Sequence, residues 1–572
     1  MALVRNAVPR LAKGLLFAYA HTADASPRKD FPPVIESRFV TRRLALKAAL
    51  GASMLPFMGG LSVAQEPPAA PPAAPPAPAP EAAPAPPQPF DFEALSARMA
   101  ERAKAPYQTP QEVPQELLDL TYDELRSIRF RPDHALWREQ PVNFQLHAFY
   151  PGFLFRTAVH LFVGDGTTFQ PANFGPADFS YDPPLDPARF QNIPLPGIAG
   201  FRIHSPLERP DYFDELVTFL GASYFRALGM GSRYGLSARG IAINTATGTP
   251  EEFPSFTAFY VTTPKPGDKH VSIMAELDSP SLTGAYAFRI EPGPQTIMDV
   301  TCRLYFRNAV ERLGVAPLTS MFHFGENDPP DRDDFRPEVH DSDGLVIERA
   351  NGERFWRPLK NPKQLSLSVI GETSPRAFGL LQRDRDFSHY EDLESRYDLR
   401  PSLMIEPVGD WGKGSVLLVE IPTDLETNDN IAAFWVPENA PQPGSTYEFR
   451  YRMSWGMHSQ ETDGLAYVTG TYAGLGGNSG SSDPVNTRRF AVNFAGGTLA
   501  NLPSDARPDP VVSLSDNARL HFTNVDRLPD GGWRLTVELE RTDSGPVEIS
   551  GKLSMLQRIQ TETWLYQWTE EQ

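Results

Sequence analysis

Proline sets the first limit on what this chain can fold into. From residue 90 onward there are 41 prolines in 483 residues, well above average usage. A proline inside a helix removes a backbone donor and clashes with the turn before it. Long helices are therefore excluded, and short strands joined by loops are expected. The hydrophobic pattern agrees. Val142-Asn143-Phe144-Gln145-Leu146-His147-Ala148 alternates, and so does Trp533-Arg534-Leu535-Thr536-Val537-Glu538-Leu539, which is the two-residue period of a half-buried strand. Turn formers punctuate such runs at Asp343-Gly344, Asn351-Gly352, Asn361-Pro362 and Asp530-Gly531-Gly532. Two early segments read as helices. Phe92, Leu95 and Met99 recur at helical spacing within 91–104, and Thr121-Tyr122-Asp123-Glu124 has the form of a capping box.

The fold class is mainly β, and 572 residues exceed what one core usually organises. A break is expected at Pro437-Glu438-Asn439-Ala440-Pro441-Gln442-Pro443-Gly444. It divides a large sandwich over 90–437 from a smaller one over 441–572, the latter close in size to an immunoglobulin-like sandwich. No internal repeat is evident.

The N-terminal region reads as an export signal. Thr41-Arg42-Arg43-Leu44-Ala45-Leu46-Lys47 precedes an apolar run from Ala48 to Leu61, and Ser62-Val63-Ala64 has the small-x-small form of a cleavage site. The paired arginines resemble the twin-arginine consensus, so residues 1–64 are the expected signal region, cleaved after Ala64. The apolar run is too short for a membrane span of about 20 residues, and no stable membrane insertion of the mature chain is expected. Between Glu66 and Pro89, 12 of 24 residues are proline, so 65–89 reads as a tether that buries nothing.

Charge and cysteine narrow the function. Residues 1–64 carry nine Lys/Arg against three Asp/Glu, +6, and the whole chain is -18, so the remainder stands at -24. A body that acidic repels nucleic acid and anionic lipid but not a neutral polysaccharide. The single cysteine, Cys302, excludes an internal disulfide and a Cys-based zinc site. Its place on the apolar face of an alternating run, with Val300, Leu304 and Phe306, marks it as core.

The familiar motifs fail in turn. Gly412-Lys413-Gly414-Ser415 lacks the order of a phosphate loop and reads as a hairpin turn. Asp341-Ser342-Asp343-Gly344 begins like a calcium loop but has Val346 and Gly352 where Gly and Glu are required. The histidines show no zinc-hydrolase spacing, and no Gly-x-Ser-x-Gly elbow occurs. No metal or cofactor is implied. What remains is a concentration of carboxylates, aromatics and arginines between 323 and 435, the residue types that glycoside chemistry requires. It includes Trp356, Asp386, Tyr397, Arg400, Trp411, Trp435, Asp341, Glu426 and Asp429; the aromatics are candidates for stacking on sugar rings.

In these same regions the chain resembles the periplasmic glucans biosynthesis proteins, the OpgD/OpgG (MdoD/MdoG) family. The matching stretches include Phe219-Leu220-Gly221-Ala222-Ser223-Tyr224-Phe225-Arg226, Tyr234-Gly235-Leu236-Ser237-Ala238-Arg239-Gly240, Gly379-Leu380-Leu381-Gln382-Arg383-Asp384-Arg385-Asp386-Phe387 and Thr427-Asn428-Asp429-Asn430-Ile431. The resemblance runs from about Phe90 to Trp568, and the leader and C-terminal run look more like the D branch than the G branch. It implies a galactose-mutarotase-like β-sandwich followed by an immunoglobulin-like one, a periplasmic location, and action on linear β-1,2-glucan. It further implies an endo-acting, inverting hydrolase or transglycosylase with Asp429 as general acid and Asp341 as general base. Tyr397, Arg400 and Glu426 join the substrate and proton-transfer network on the same ground. Asp429, just before the apolar run that starts at Ile431, is expected to be partly buried and protonated. Asp341 is expected in a polar turn, ionised. A non-catalytic glucan-binding protein is the alternative, a mutarotase-like epimerase a weaker one, and a second copy of the chain is a candidate partner.

Overall fold

The computed structural model describes residues 90–330, 333–458, 464–477, 486–503 and 505–569. The expected twin-arginine leader, its Ala64 cleavage point and the 65–89 tether lie outside the described residues. No helix among the described residues is long and apolar enough to cross a membrane.

The body is mainly β, as proline density and the two-residue period require. The first helix is Phe92–Arg102, started by Asp91, whose carboxylate accepts from the Ala94 amide; it seats Leu95 and Met99 against Ala258, Tyr260 and Ala285. The Thr121 capping box forms with both of its hydrogen bonds, but the helix it starts covers only Tyr122–Arg126. The alternating 142–148 run becomes a strand at Gln145–Phe149, and the later run becomes Trp533–Arg541.

Two sheets make the large sandwich. One runs in the order Gln145–Phe149, Gly200–Ser205, Asp214–Leu220, Tyr224–Ala227, Ser237–Arg239, Leu313–Ser320, Ile431–Pro437, Lys413–Glu420 and Ser366–Thr373. The other is longer. Its middle passes through Ala377–Leu381, Ser402–Pro407, Thr446–Gly456, Gln295–Phe306 and Leu282–Glu291. Phe219 and Phe225 of the first sheet meet Phe288 of the second with ring centroids 5.3 and 5.5 Å apart. Cys302 faces this core, where burial pushes its thiol up to about 12.

The smaller sandwich is assembled on the far end of the long sheet. There Asp509–Leu514, Val547–Met555, Thr563–Trp568 and Arg354–Pro358 lie side by side. They are covered by a separate sheet of Tyr467–Leu475, Thr487–Ala495, Trp533–Arg541 and Ala518–Arg527. Phe490 anchors that second core against Trp564 and Tyr566, at 5.8 and 5.0 Å. Val346, Trp356, Leu381 and Met404 belong to the same core although they precede the 437–441 break in sequence. The strand just after that break, Thr446–Gly456, pairs with Gln295–Phe306 and Ser402–Pro407. One sheet therefore runs through both sandwiches. A buried ion pair reinforces the join, with Arg383 reaching Glu562 at 2.6 and 3.0 Å while the Val468 amide donates to the same carboxylate at 2.7 Å.

Candidate active site

Asp429 ends the loop that joins Lys413–Glu420 to Ile431–Pro437. Its position is set by the next residue. The buried Asn430 carboxamide accepts from the Phe322 amide at 2.8 Å and donates to the Phe322 and Ile421 carbonyls at 2.9 and 3.1 Å. That clamp fixes the backbone beside Asp429 without using the aspartate itself. Asp429 keeps partial exposure as a residue, yet its Oδ1 is shut off from solvent and accepts no hydrogen bond. Burial pushes its carboxyl up to about 6; Arg226 and Arg239 oppose the shift and the charge of Asp341 adds to it.

Asp341 is anchored to the same segment. It follows strand Val339–His340, whose His340 pairs with Phe322, and its amide donates to the Met321 carbonyl at 2.8 Å. Met321 and Phe322 thus form a common strut, with Asp341 bonded to one residue and the Asn430 clamp to the other. The expectation of a polar, solvated turn is corrected here: Asp341 is 0 % exposed. The reason lies in its neighbours. Ser342 is buried as well and accepts from Ser320, which closes the turn from below. Burial raises the Asp341 carboxyl, and Arg400, Arg226 and His340 pull it back in that order. Arg400 Nε is 3.3 Å from Asp341 Oδ1, while neither carboxylate oxygen accepts a hydrogen bond.

Arg400 is delivered from the short turn Tyr397–Leu399. Its guanidinium donates to the Tyr234 carbonyl and lies 5.1 Å from the Tyr397 ring. Gly235 makes room for it, since a Cβ there would stand 3.0 Å from Arg400 Cδ. Burial raises the Tyr397 phenol above its ordinary range, with the charges of Glu426 and Asp341 adding to the effect. Glu426 is held by Arg336 at 2.7 Å, and Arg336 also grips Asp334 and Asp392 at 2.8 and 2.9 Å. Asp429, Asp341, Tyr397, Arg400 and Glu426 are therefore one electrostatically connected group.

Several members escaped the sequence reading. Arg226 and Arg239 lie on the adjacent strands Tyr224–Ala227 and Ser237–Arg239 and face Asp429. Arg239 is fixed by Glu251 at 2.7 Å and lies over the Tyr224 ring at 4.9 Å. Both arginines stand within stretches that carry the family resemblance, and an arginine on a short strand among apolar neighbours was the available signal. Arg336 had none, because two of its three partners, Asp392 and Glu426, are 56 and 90 residues away in the chain.

Other expected residues do not join the group. Trp411 and Trp435 are core residues, their rings 6.2 Å apart, with Trp411 packed on Phe449 and Tyr451. Trp356 lies in the second core beneath the Arg383 guanidinium at 3.5 Å. All three are buried and offer no open face to a sugar, which corrects their expected part in substrate binding. Asp386 caps the turn Phe387–His389 through the Ser388 amide and hydroxyl, at 2.9 and 2.8 Å. Glu338, Asp384 and His389 bring their polar atoms within 4.8 Å of one another. Those atoms are already engaged, His389 with Asp384 at 2.5 Å and Glu338 with His340 at 2.8 Å.

Residues 90–568 match the family described as Periplasmic glucan biosynthesis protein, MdoG. The Glucans biosynthesis protein G of Cereibacter sphaeroides is 46% identical over 94% of this chain and 99% of its own length. The Glucans biosynthesis protein G of Ralstonia nicotianae is 45% identical over 83% of this chain and 95% of its own length. The Glucans biosynthesis protein D of Xanthomonas campestris pv. campestris is 44% identical over 84% of this chain and 91% of its own length. Relatives bearing either letter thus match at near-equal identity.

Proposed function

Because the chain belongs to the periplasmic glucan biosynthesis protein family, we propose that it remodels periplasmic glucan by cleaving linear β-1,2-glucan internally with inversion. Water or a sugar hydroxyl is the acceptor, giving hydrolysis or transglycosylation. Asp429 is the general acid and Asp341 the general base. The observation that carries this reading is the pairing of a buried Asp429 carboxyl with an Asp341 that has an arginine at 3.3 Å. Asp429 titrates at about 6 with an unpartnered, buried Oδ1, so near neutral pH a usable fraction is protonated and can be given to a leaving oxygen. Asp341 has Arg400 beside it and two oxygens that accept no hydrogen bond. Burial raises this carboxyl as well, and Arg400, Arg226 and His340 oppose that rise in favour of the anion that a base must be. Tyr397 and Glu426 lie within the field of Asp341 and provide hydroxyl and carboxylate for a relay if the attacking water stands beyond its reach.

The protein is incubated with linear β-1,2-glucan while chain length and reducing ends are followed. Shorter chains with new reducing ends are expected for hydrolysis, and shorter or cyclic chains without them for transglycosylation. Unchanged chain length with binding intact would overturn the enzymatic reading in favour of a glucan-binding protein. The expected periplasmic site of action is tested by fractionating cells that express the full chain.

A further inference from the structure

His340 occupies a crossing of the fold that the acid and base do not explain. It is fully buried, its ring stacked on Phe322 at 5.2 Å and edge-on to Tyr390 at 5.3 Å. Nε2 lies 2.8 Å from Glu338 Oε2, and Nδ1 lies 2.8 Å from Gln382 Oε1. The far end of Gln382 fixes which way its carboxamide points. Its Nε2 donates to the His340 carbonyl at 2.9 Å and to the Tyr397 carbonyl at 3.0 Å. Carbonyl oxygens only accept, so the amide nitrogen faces them and the amide oxygen faces the imidazole. A carboxylate stands at one ring nitrogen and an amide oxygen at the other. Both ring nitrogens then donate, which is the imidazolium form.

We propose that His340 is a buried imidazolium and a positioning residue, locking the Asp341 segment to the Tyr397 segment through Gln382 and favouring the ionised Asp341 by its charge. The proposal rests on Asp341 being the base. The groups that face the imidazole are Glu338 and Asp341 on its own segment, Asp343 just beyond, Glu326 from the loop after Phe322–Phe324, and the Tyr390 phenol. Burial works against the charged ring, but the Glu338 hydrogen bond and charge, backed by Asp343 and Glu326, hold it up at about 9. Glu326 itself is pushed up to about 8 by burial and then by Glu338, so Glu338, hydrogen-bonded to the ring, comes before it among the groups that hold the imidazole up. The clasp also orders backbone. The Gln382 backbone amide donates to the Ser402 hydroxyl at 3.0 Å, and its side-chain Nε2 also lies 3.0 Å from the Tyr390 hydroxyl. Gln382 thereby joins the segments around 340, 390 and 397 through its side chain and that around 402 through its backbone.

Two measurements test this. Protein labelled with nitrogen-15 in its histidine rings is titrated by NMR, and the His340 signal is identified by its loss in His340→Gln. Two protonated ring nitrogens at pH 8 are expected, where an ordinary imidazole of pKa about 6.5 is neutral. One bare nitrogen at pH 8 overturns the proposal. Should His340→Gln fail to fold, Glu338→Gln keeps an acceptor at Nε2 and identifies the signal by displacing it. Second, kcat/KM on linear β-1,2-glucan is followed against pH. Loss of the nearby positive charge moves the acidic limb upward by about 1 to 3 pH units in His340→Gln, with the loss in kcat and KM little changed. A uniform drop at every pH with the limb unmoved refutes the charge effect. An inactive wild-type protein would refute the glucan reading, while the NMR result would still decide the state of His340.

Discussion

Asp429→Asn should abolish glucan cleavage and at the same time make the protein more stable at neutral pH. In the folded chain this carboxyl titrates at about 6 in place of its ordinary 3.8. The folded state therefore holds the proton more tightly than the unfolded state does. The group's contribution to stability is fully present below about 3.8 and is lost as pH rises through 6. Above that point the ionised carboxylate costs on the order of 3 kcal/mol relative to the unfolded chain. Asparagine has nearly the same shape and no charge to strand, and the neighbouring Asn430 clamp on Phe322 and Ile421 is untouched. At pH 7 the variant should gain roughly that amount, equivalent to about 3 °C in the unfolding midpoint for a body of this size. At pH 4 the gain should shrink to about 0.5 kcal/mol. Denaturant or thermal unfolding of both proteins at the two pH values measures it. Equal stability at pH 7, or a gain as large at pH 4 as at pH 7, would refute the claim that Asp429 is a strained acid.

Three further outcomes are expected. Gly235→Ala places a Cβ 3.0 Å from Arg400 Cδ and 3.1 Å from its Cβ, displacing the guanidinium from Asp341; cleavage should fall about 10- to 100-fold with little change in circular dichroism, and wild-type kcat would contradict this. Burial holds His147 at about 2 and His204 at about 4 against 6.5 when unfolded, so the unfolded chain takes up protons that the folded chain refuses and stability falls as pH drops from 6.5 toward 4. His147→Phe should flatten that fall by up to about 1.4 kcal/mol per pH unit, read from unfolding curves between pH 4 and 7; an unchanged slope would show that His147 is protonated in the native state. Cys302, buried and pushed up to about 12, should resist alkylation at pH 8 in the native protein and react on unfolding, as mass spectrometry will record; rapid native labelling would disprove its burial.

What was readable in the sequence is what is local. Proline density and alternation are properties of short windows, and they give the strands; the Thr121 box and the Phe92–Arg102 helix are equally local, and both form. The placement of Cys302 follows from alternation along Gln295–Phe306, whose residues are buried at every second position. Burial of a loop is not local. Asp341 sits among turn formers, yet Met321, Ser320 and Arg400 close over it from segments 20 to 60 residues away. The same limit explains the tryptophans. A Trp beside charged residues reads as a platform for sugar, but Trp411 packs on strand Thr446–Gly456 through Phe449 and Tyr451 and on Trp435, a pairing fixed only when the long sheet forms. The smaller core likewise draws Val346, Trp356 and Met404 from before the 437–441 break, because sheet neighbours are chosen by tertiary packing and not by chain order.

Two buried aspartates tethered to one strut would normally share a fate, since burial raises both and the charge of Asp341 raises Asp429 further. What separates them is the supply of positive charge. Asp341 has Arg400 at 3.3 Å and its own neighbour His340, whereas the cations in the field of Asp429 are Arg226 and Arg239. Neutralising Arg400 should therefore do more than weaken a contact: with its main counter-charge gone, Asp341 would compete with Asp429 for the same proton, and the pair would lose the division of labour on which acid–base catalysis depends. Arg400→Met, which keeps bulk and removes charge, should bring the acidic limb of the pH profile up toward the Asp429 titration near 6 and collapse the bell between them. If Arg400→Met instead left a bell of normal width at reduced height, the two carboxyls would be kept apart by something other than their cations.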